Sequence, residues 1–221
     1  VSLRDRGALL DESLDMVRRL WTEPAVDFEG RTYRIAGARL GVRPAPGAVP
    51  LWIGANSEAA LPRVATRGDA WLASRTKPFV TVRDWAARYR DAAAAAGRPA
   101  QVYVIRDAWI AQDRDEALAC YERAMRDSLA HYGGNDAYVR QIEAMLVARA
   151  EGRAPEAGDA VIMGSPEDCI EQCARWGEAG VDGLILRFRH PGGPGQREII
   201  DAIRLFGATV VAGLSTATQA S

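Results

Sequence analysis

The sequence predicts an α/β fold built on parallel strands, and three observations predict it. Apolar runs of strand length alternate along the chain with amphipathic stretches of helix length. Residues 49–74 compress that alternation into a single unit. Here an apolar run from Val49 to Ile53 is followed by the turn Gly54-Ala55-Asn56-Ser57 and an alanine-rich helical stretch. A break at Arg67-Gly68-Asp69 then leads into a second apolar run, Ala70 to Ala73. A strand, a helix and a strand in this order form a βαβ unit, whose strands are parallel. The third observation is a shortage: four convincing strands are present, preceded by a lone helix without a strand of its own. A closed (β/α)8 barrel takes eight strands and about 250 residues. The expected architecture is therefore the C-terminal half of a (β/α)8 TIM barrel, about four parallel strands with surrounding helices, its N-terminal half absent.

The elements follow in order. Leu10, Leu14, Val17 and Trp21 fall on one face of a helix over 7–21. Asp27 to Tyr33 alternates around Gly30 and reads as a hairpin-like excursion. Pro44, Pro46 and Pro50 lead in extended form to the strand at 50–54. A helix over 57–67, a strand at 69–74, a helix over 80–97 and a strand at 101–111 come next, then helices over 113–131 and 135–151. Gly158 to Met163 is a short extended piece. Ser165-Pro166-Glu167-Asp168 starts a helix, with a serine N-cap, proline in the first turn and acids at the positive end. That helix stops at Gly180, before the buried strand Val181 to Phe188. A loop from His190 to Gly195 precedes the last helix, 196–210. The domain expected is residues 1–213, with 214–221 a flexible tail of small and polar residues.

Composition excludes several classes of function. The 221 residues carry 28 Lys and Arg against 29 Asp and Glu, a net charge of −1 with no basic run, which argues against a nucleic-acid partner. No segment approaches twenty uninterrupted apolar residues, and the charged N-terminus is unlike a signal peptide, so no membrane partner is expected and the cytoplasm is the expected compartment. The three cysteines do not suggest a disulfide framework. Cys169 and Cys173 lie one helical turn apart without further ligands nearby, so no metal site is expected, and Cys120, Cys169 and Cys173 read as helix packing.

Five segments give the chain a resemblance. They are Leu10-Asp11-Glu12-Ser13-Leu14 running to Leu20-Trp21-Thr22, then Phe28-Glu29-Gly30-Arg31-Thr32-Tyr33, and then Leu51-Trp52-Ile53-Gly54-Ala55-Asn56-Ser57 with Gly68-Asp69-Ala70-Trp71. Gly164-Ser165-Pro166-Glu167-Asp168 with Ala179-Gly180-Val181-Asp182, and the ending Asp201 to Gly207, complete them. In order and spacing over residues 4–210 the chain resembles the luciferase-like, flavin-dependent monooxygenases and oxidoreductases. The resemblance implies a TIM barrel that binds FMN, or in many relatives the deazaflavin coenzyme (F-420), at the C-terminal ends of its strands. It also implies four βα units ahead of this point, so the chain reads as a fragment or truncated product whose own activity is in question.

The expected activity is that of a monooxygenase using reduced FMN, supplied by a partner flavin reductase, and O2 on a small organic substrate. The alternative is a deazaflavin-dependent oxidoreductase that transfers hydride. A reading of another class is a half-barrel without chemistry, a remnant or a self-associating unit, motivated by the open sheet edges; a homo-oligomer is the expected state.

Site residues follow from the same resemblance. Gly54, Ala55, Asn56, Ser57 and Glu58 map to the turn that holds the cofactor phosphate, with the Ser57 hydroxyl and the amides of Ser57 and Glu58 as donors. Read without the resemblance, that turn is also an ordinary strand-to-helix connection with Ser57 as N-cap. Pro62 lies where an early helical N–H should bond, so the helix is expected to start late or kink. Ser74, Arg75 and Arg187 end strands, where Ser74 and Arg187 are candidates to touch the cofactor. His190, in the loop after the last strand, is a candidate to face the substrate. His131 reads as a helix-end cation. Arg4 and Arg6 read as solvated charges, and Arg106 with Asp107 as an internal or a site-facing pair. Trp52, Trp71 and Trp109 are expected to pack the barrel core or its helical shell. No Ser-His-Asp arrangement or carboxylate pair is identifiable, so no catalytic residue is assigned; in flavin chemistry the cofactor carries the electrons.

Overall fold

The computed structural model describes residues 2, 5–45, 47, 49–132, 144, 147, 161–190 and 193–219. They fall into two compact units, Val1–Trp71 with Arg88–Ala100, and Leu72–Ala87 with Gln101–Ser221.

The first unit opens with α1, Arg6–Thr22, which buries Leu14. An antiparallel hairpin follows, β1 (Val26–Glu29) against β2 (Arg34–Ala38), with Phe28 opposite Ile35. The Glu12 carboxylate of α1 accepts the amides of Thr32 (3.0 Å) and Tyr33 (2.6 Å), fastening the hairpin turn to the helix and holding that carboxyl below its ordinary range. β3 is short, Trp52–Gly54, and is hydrogen-bonded to β4, Ala70–Ala73. Between them the helix starts late, as Pro62 predicts: a 3-10 turn covers Glu58–Ala60 and α2 runs Leu61–Arg67. A proline in the first turn has no amide bond to lose. Asp11 pairs with Arg63 at 2.6 Å and Asp15 with Arg67, linking α1 to α2. The division between the units runs through α3, Phe79–Ala95, which buries Phe79, Val82, Ala86, Tyr89 and Ala93, the three-and-four spacing of a single helical face.

The centre of the second unit is β5, Gln101–Ile110. It pairs in parallel with β6 (Val161–Gly164) from Asp107 opposite Val161 to Ile110 opposite Gly164. It also pairs in parallel with β7 (Gly183–Arg187), from Tyr103 opposite Gly183 to Asp107 opposite Arg187. α4 covers Arg114–Tyr132 and α5 covers Pro166–Glu178. The Ser165 cap is realised as a capping box with Asp168, and α5 buries Cys169, Cys173 and Trp176. α6, Gln196–Phe206, passes into a π-helical segment, Gly207–Val211, and then α7, Ala212–Gln219. Gly213 of α7 lies so near α5 that a Cβ built on it would sit 2.8 Å from Ile170 Cδ1.

Three elements differ from expectation. The extended piece ending at Met163 is a fully buried strand, β6, because all four of its residues are covered. The helical backbone continues to Gln219, beyond the expected end at 210, since adding residues to a helix already begun costs far less than starting one and no proline follows to stop it. Trp52, expected in the core, is 41% exposed on β3, whose pattern is exposed, buried, exposed, while Trp71 and Trp109 are buried as expected. The helix expected over 135–151 lies outside the described residues apart from Ala144 and Val147, which are helical. No helix among the described residues is long and apolar enough to cross a membrane.

Candidate functional site

Each unit places candidate residues at the C-terminal ends of its strands. In the first unit the turn Gly54-Ala55-Asn56-Ser57-Glu58 leaves β3 with every residue exposed except Ala55. Ala55 is buried, and the Trp71 indole N–H donates to its carbonyl at 3.1 Å. The far end of the strand pair is held as firmly: Asp69 Oδ2 accepts the Leu51 amide at 2.7 Å, while the Asp69 amide donates to Leu51 O at 2.8 Å. Arg98 donates to Asp69 Oδ1 at 3.0 Å and to Gly68 O at 2.9 Å. The turn therefore sits on a fixed base.

Its polar groups face outward. Ser57 has extended backbone and makes no side-chain cap bond to the 3-10 turn, and the first inward amide is that of Ala60, which donates to Ser57 O at 3.0 Å. The amides of Ser57 and Glu58 have no acceptor among the described residues. A Cβ built on Gly54 would meet nothing within 4 Å, so the space over the backbone is open. The Glu58 carboxylate is turned to Arg88 of α3. An exposed hydroxyl, amides without partners and open space over a glycine fit an anionic group such as a phosphate. The short 3-10 turn adds little macrodipole, so the fit rests on hydrogen bonding.

In the second unit the candidates gather around one aspartate. Asp107 has no exposed surface and receives Arg187 in bidentate fashion, Nε at 2.6 Å and Nη2 at 2.9 Å. Arg75 Nη1 stands 3.9 Å from the same carboxylate. His190 follows close by: it is 5% exposed, its Nε2 lies 3.4 Å from Ala108 O, and its ring meets Tyr121 edge-on at 5.3 Å. His190 Nδ1 has no hydrogen-bond partner among the described residues. Burial holds the imidazole below its ordinary value, and the Asp107 charge works against that. Burial, with Asp107 adding to it, pushes the Tyr121 hydroxyl well above its ordinary value.

Arg106 and Asp107 do not share a face, because alternate residues of a strand point to opposite sides. Arg106, equally buried, donates to Ser74 O at 3.4 Å and Lys77 O at 2.7 Å. The Ser74 hydroxyl lies 3.1 Å from Thr76 Oγ1 and accepts the Thr76 amide at 3.3 Å. Sequence reasoning treated Arg106 and Asp107 as one pair; their consecutive positions in a strand were the signal that separates them.

The other candidates are quickly placed. The thiols of Cys169 and Cys173 are pushed up by burial, to about 12 and about 11, as befits packing residues. Among the described residues no group of His, Cys, Asp and Glu could hold a metal. His131 lies in the last turn of α4, Arg6 opens α1, and Arg4 is outside the described residues.

Comparison with known proteins gives a consistent family. The description "Luciferase-like monooxygenase" matches residues 1–183. The F420-dependent glucose-6-phosphate dehydrogenase of Nocardia farcinica is 26% identical over 201 residues, which cover 90% of this chain and 59% of the relative. Among solved structures, the monooxygenase RslO1 from Streptomyces bottropensis superposes with a TM-score of 0.74 at 22% identity, over 96% of this chain and 63% of that one. The coenzyme F420 dependent tetrahydromethanopterin reductase from Methanopyrus kandleri gives 0.71 at 18% identity, over 94% and 63%. These likenesses show the α/β half-barrel fold that the sequence predicts. The chain spans about 60% of the length of the Nocardia farcinica relative and of the F420-dependent glucose-6-phosphate dehydrogenase of Mycolicibacterium fortuitum, to which it is also similar.

Proposed function

The chain belongs to the luciferase-like monooxygenase family, and from that premise we propose that it serves an oxidoreductase working with a deazaflavin coenzyme. The observation that carries the reading is the exposed turn Gly54–Glu58, with open space over Gly54 and outward-facing donors at Ser57 and Glu58. Gly54, Ala55, Asn56, Ser57 and Glu58 hold the coenzyme phosphate through backbone amides and the Ser57 hydroxyl. In the second unit, taken by itself, Ser74 and Arg187 at strand ends are the coenzyme candidates, and His190, edge-on to Tyr121, is the candidate to face the substrate. A bound deazaflavin would supply hydride transfer; this chain's residues bind it, orient it and keep water from it. The curated relative from Nocardia farcinica, named for F420 dependence, favours this coenzyme.

The family description favours a second reading, in which reduced FMN, delivered by a partner reductase, and O2 act on a small organic substrate. A homo-oligomer is proposed for either reading, and solution mass tests it.

Fluorescence titration of the 221-residue chain with each coenzyme tests the function. Deazaflavin is expected to bind more tightly than FMN. Gly54→Val, which fills the open space, is expected to weaken binding more than about tenfold, or about 1.4 kcal/mol. Ser57→Ala, losing one hydrogen bond, is expected to weaken it about threefold to tenfold. Preference for FMN would move the second reading ahead; a chain that binds neither would remove both.

A further inference from the structure

Two neighbouring residues of β5 reach the same loop from opposite faces of the sheet. Behind the strand, the Arg106 guanidinium donates to the carbonyls of Ser74 and Lys77, the two ends of the segment that follows β4. The same guanidinium lies 4.3 Å over the Trp176 ring. Trp176 meets Phe79 edge-on at 4.7 Å, and Arg175 lies 4.3 Å over Phe79. Arg106, Trp176, Phe79 and Arg175 thus form one row in which an edge-on pair of rings is flanked by a cation on each side. On the other face, Asp107 draws Arg75, in the middle of the segment, to 3.9 Å. Inside the segment the Lys77 amide donates to Ser74 O at 3.1 Å, so that carbonyl accepts from two donors.

A buried cation is costly unless its donors are satisfied, and an apolar side chain of similar length could cover Trp176 equally well. What such a residue could not do is hold two loop carbonyls at a fixed separation. A planar guanidinium with several donors and a stacking face suits that task, and an ammonium does not. We propose that Arg106 is the positioning residue of the Ser74–Lys77 loop, and that through this loop it sets how Ser74 and Arg75 meet a ligand at the strand ends. The ligand half of this inference rests on the proposed coenzyme function; the anchoring half does not.

Hydrogen exchange on the full chain carrying Arg106→Met or Arg106→Lys tests it, with trypsin cleavage after Arg75 as a second readout. In Arg106→Met, exchange across residues 74–78 is expected to accelerate about tenfold or more while β5 and α5 stay protected. Cleavage after Arg75 should rise in parallel, and Arg106→Lys should restore protection only in part. Affinity for whichever coenzyme the wild type binds should fall about fivefold. Unchanged exchange across 74–78, or equal acceleration through β5 and α5, would overturn the proposal. A wild type that binds neither coenzyme would instead defeat the coenzyme reading, and the exchange result would still decide the anchoring.

Discussion

The two units hold the beginnings of their strands in the same way and treat the ends differently. In one, Asp69 exchanges two hydrogen bonds with Leu51, its carboxylate accepting an amide at 2.7 Å and its own amide donating at 2.8 Å. In the other, Asp182 does the same with Val102, at 2.7 and 2.8 Å. Both aspartates stand one residue before a strand, and both fix its register against a neighbour. At the opposite ends the likeness stops. The Gly54–Glu58 turn is open and small, whereas the ends of β5 and β7 bury Asp107 beneath Arg187 and Arg75. Strand beginnings thus obey geometry alone, and strand ends carry the chemistry that differs from one loop to the next.

The sharpest way to break this comparison is Arg187→Met. It strands a carboxylate that has no exposed surface, so it should cost about 3 kcal/mol in urea denaturation, the low end for a broken buried pair because Arg75 remains. A cost near zero would mean that the buried end is no more demanding than the open one. Next come the clasps. Asp182→Ala and Asp69→Ala each leave a backbone amide at a strand's beginning without its acceptor, and each should cost about 2 kcal/mol. Asp69→Ala should cost slightly more, since Arg98 also loses its carboxylate partner and keeps only Gly68 O. Unequal losses beyond that would show that the two clasps are not equivalent.

A smaller effect separates the ends by pH. Burial lowers the His190 value in the folded state from 6.5. Between the folded value and 6.5 the unfolded chain binds more protons, so stability rises with pH through that window. It is lost as pH falls from 6.5 through the folded value, and His190→Phe should flatten that slope in thermal melts. The least effect belongs to the open end. Arg88→Ala removes an ion pair whose side chains are 57% and 54% exposed, and it should change stability by no more than about 0.5 kcal/mol.

Much of this was legible in the sequence. Strands read at 50–54, 69–74, 101–111 and 181–188 correspond to β3, β4, β5 and β7, because runs rich in Val, Ile, Leu and Trp between turn residues leave little choice. The Ser165 cap and the stop at Gly180 were also legible, since capping chemistry is local. β6 was not: Val161–Gly164 has only four residues, too short for periodicity to separate strand from loop. The candidate turn could be located from Gly54 and Ser57, but Ser57 read as an N-cap and instead leaves its hydroxyl uncommitted to the helix. The cluster around Asp107 escaped because it joins β5, β7 and the loop after β4 over separations of 32 to 80 residues, and pairings at that range leave no local pattern.

The π-helical segment between α6 and α7 has a consequence for indexing. Each residue of an α-helix advances about 100° around the axis, and a π turn holds one more residue than an α turn. Gly207–Val211 therefore turns α7 about its own axis relative to a plain continuation of α6. That angular offset presents Gly213, rather than the larger Ala212 or Leu214 on either side, at the point where Ile170 comes closest. Deleting Ala208 would rotate the helix by about 100° and bring a bulkier neighbour round to a spot where the Ile170 side chain would have to shift to admit it.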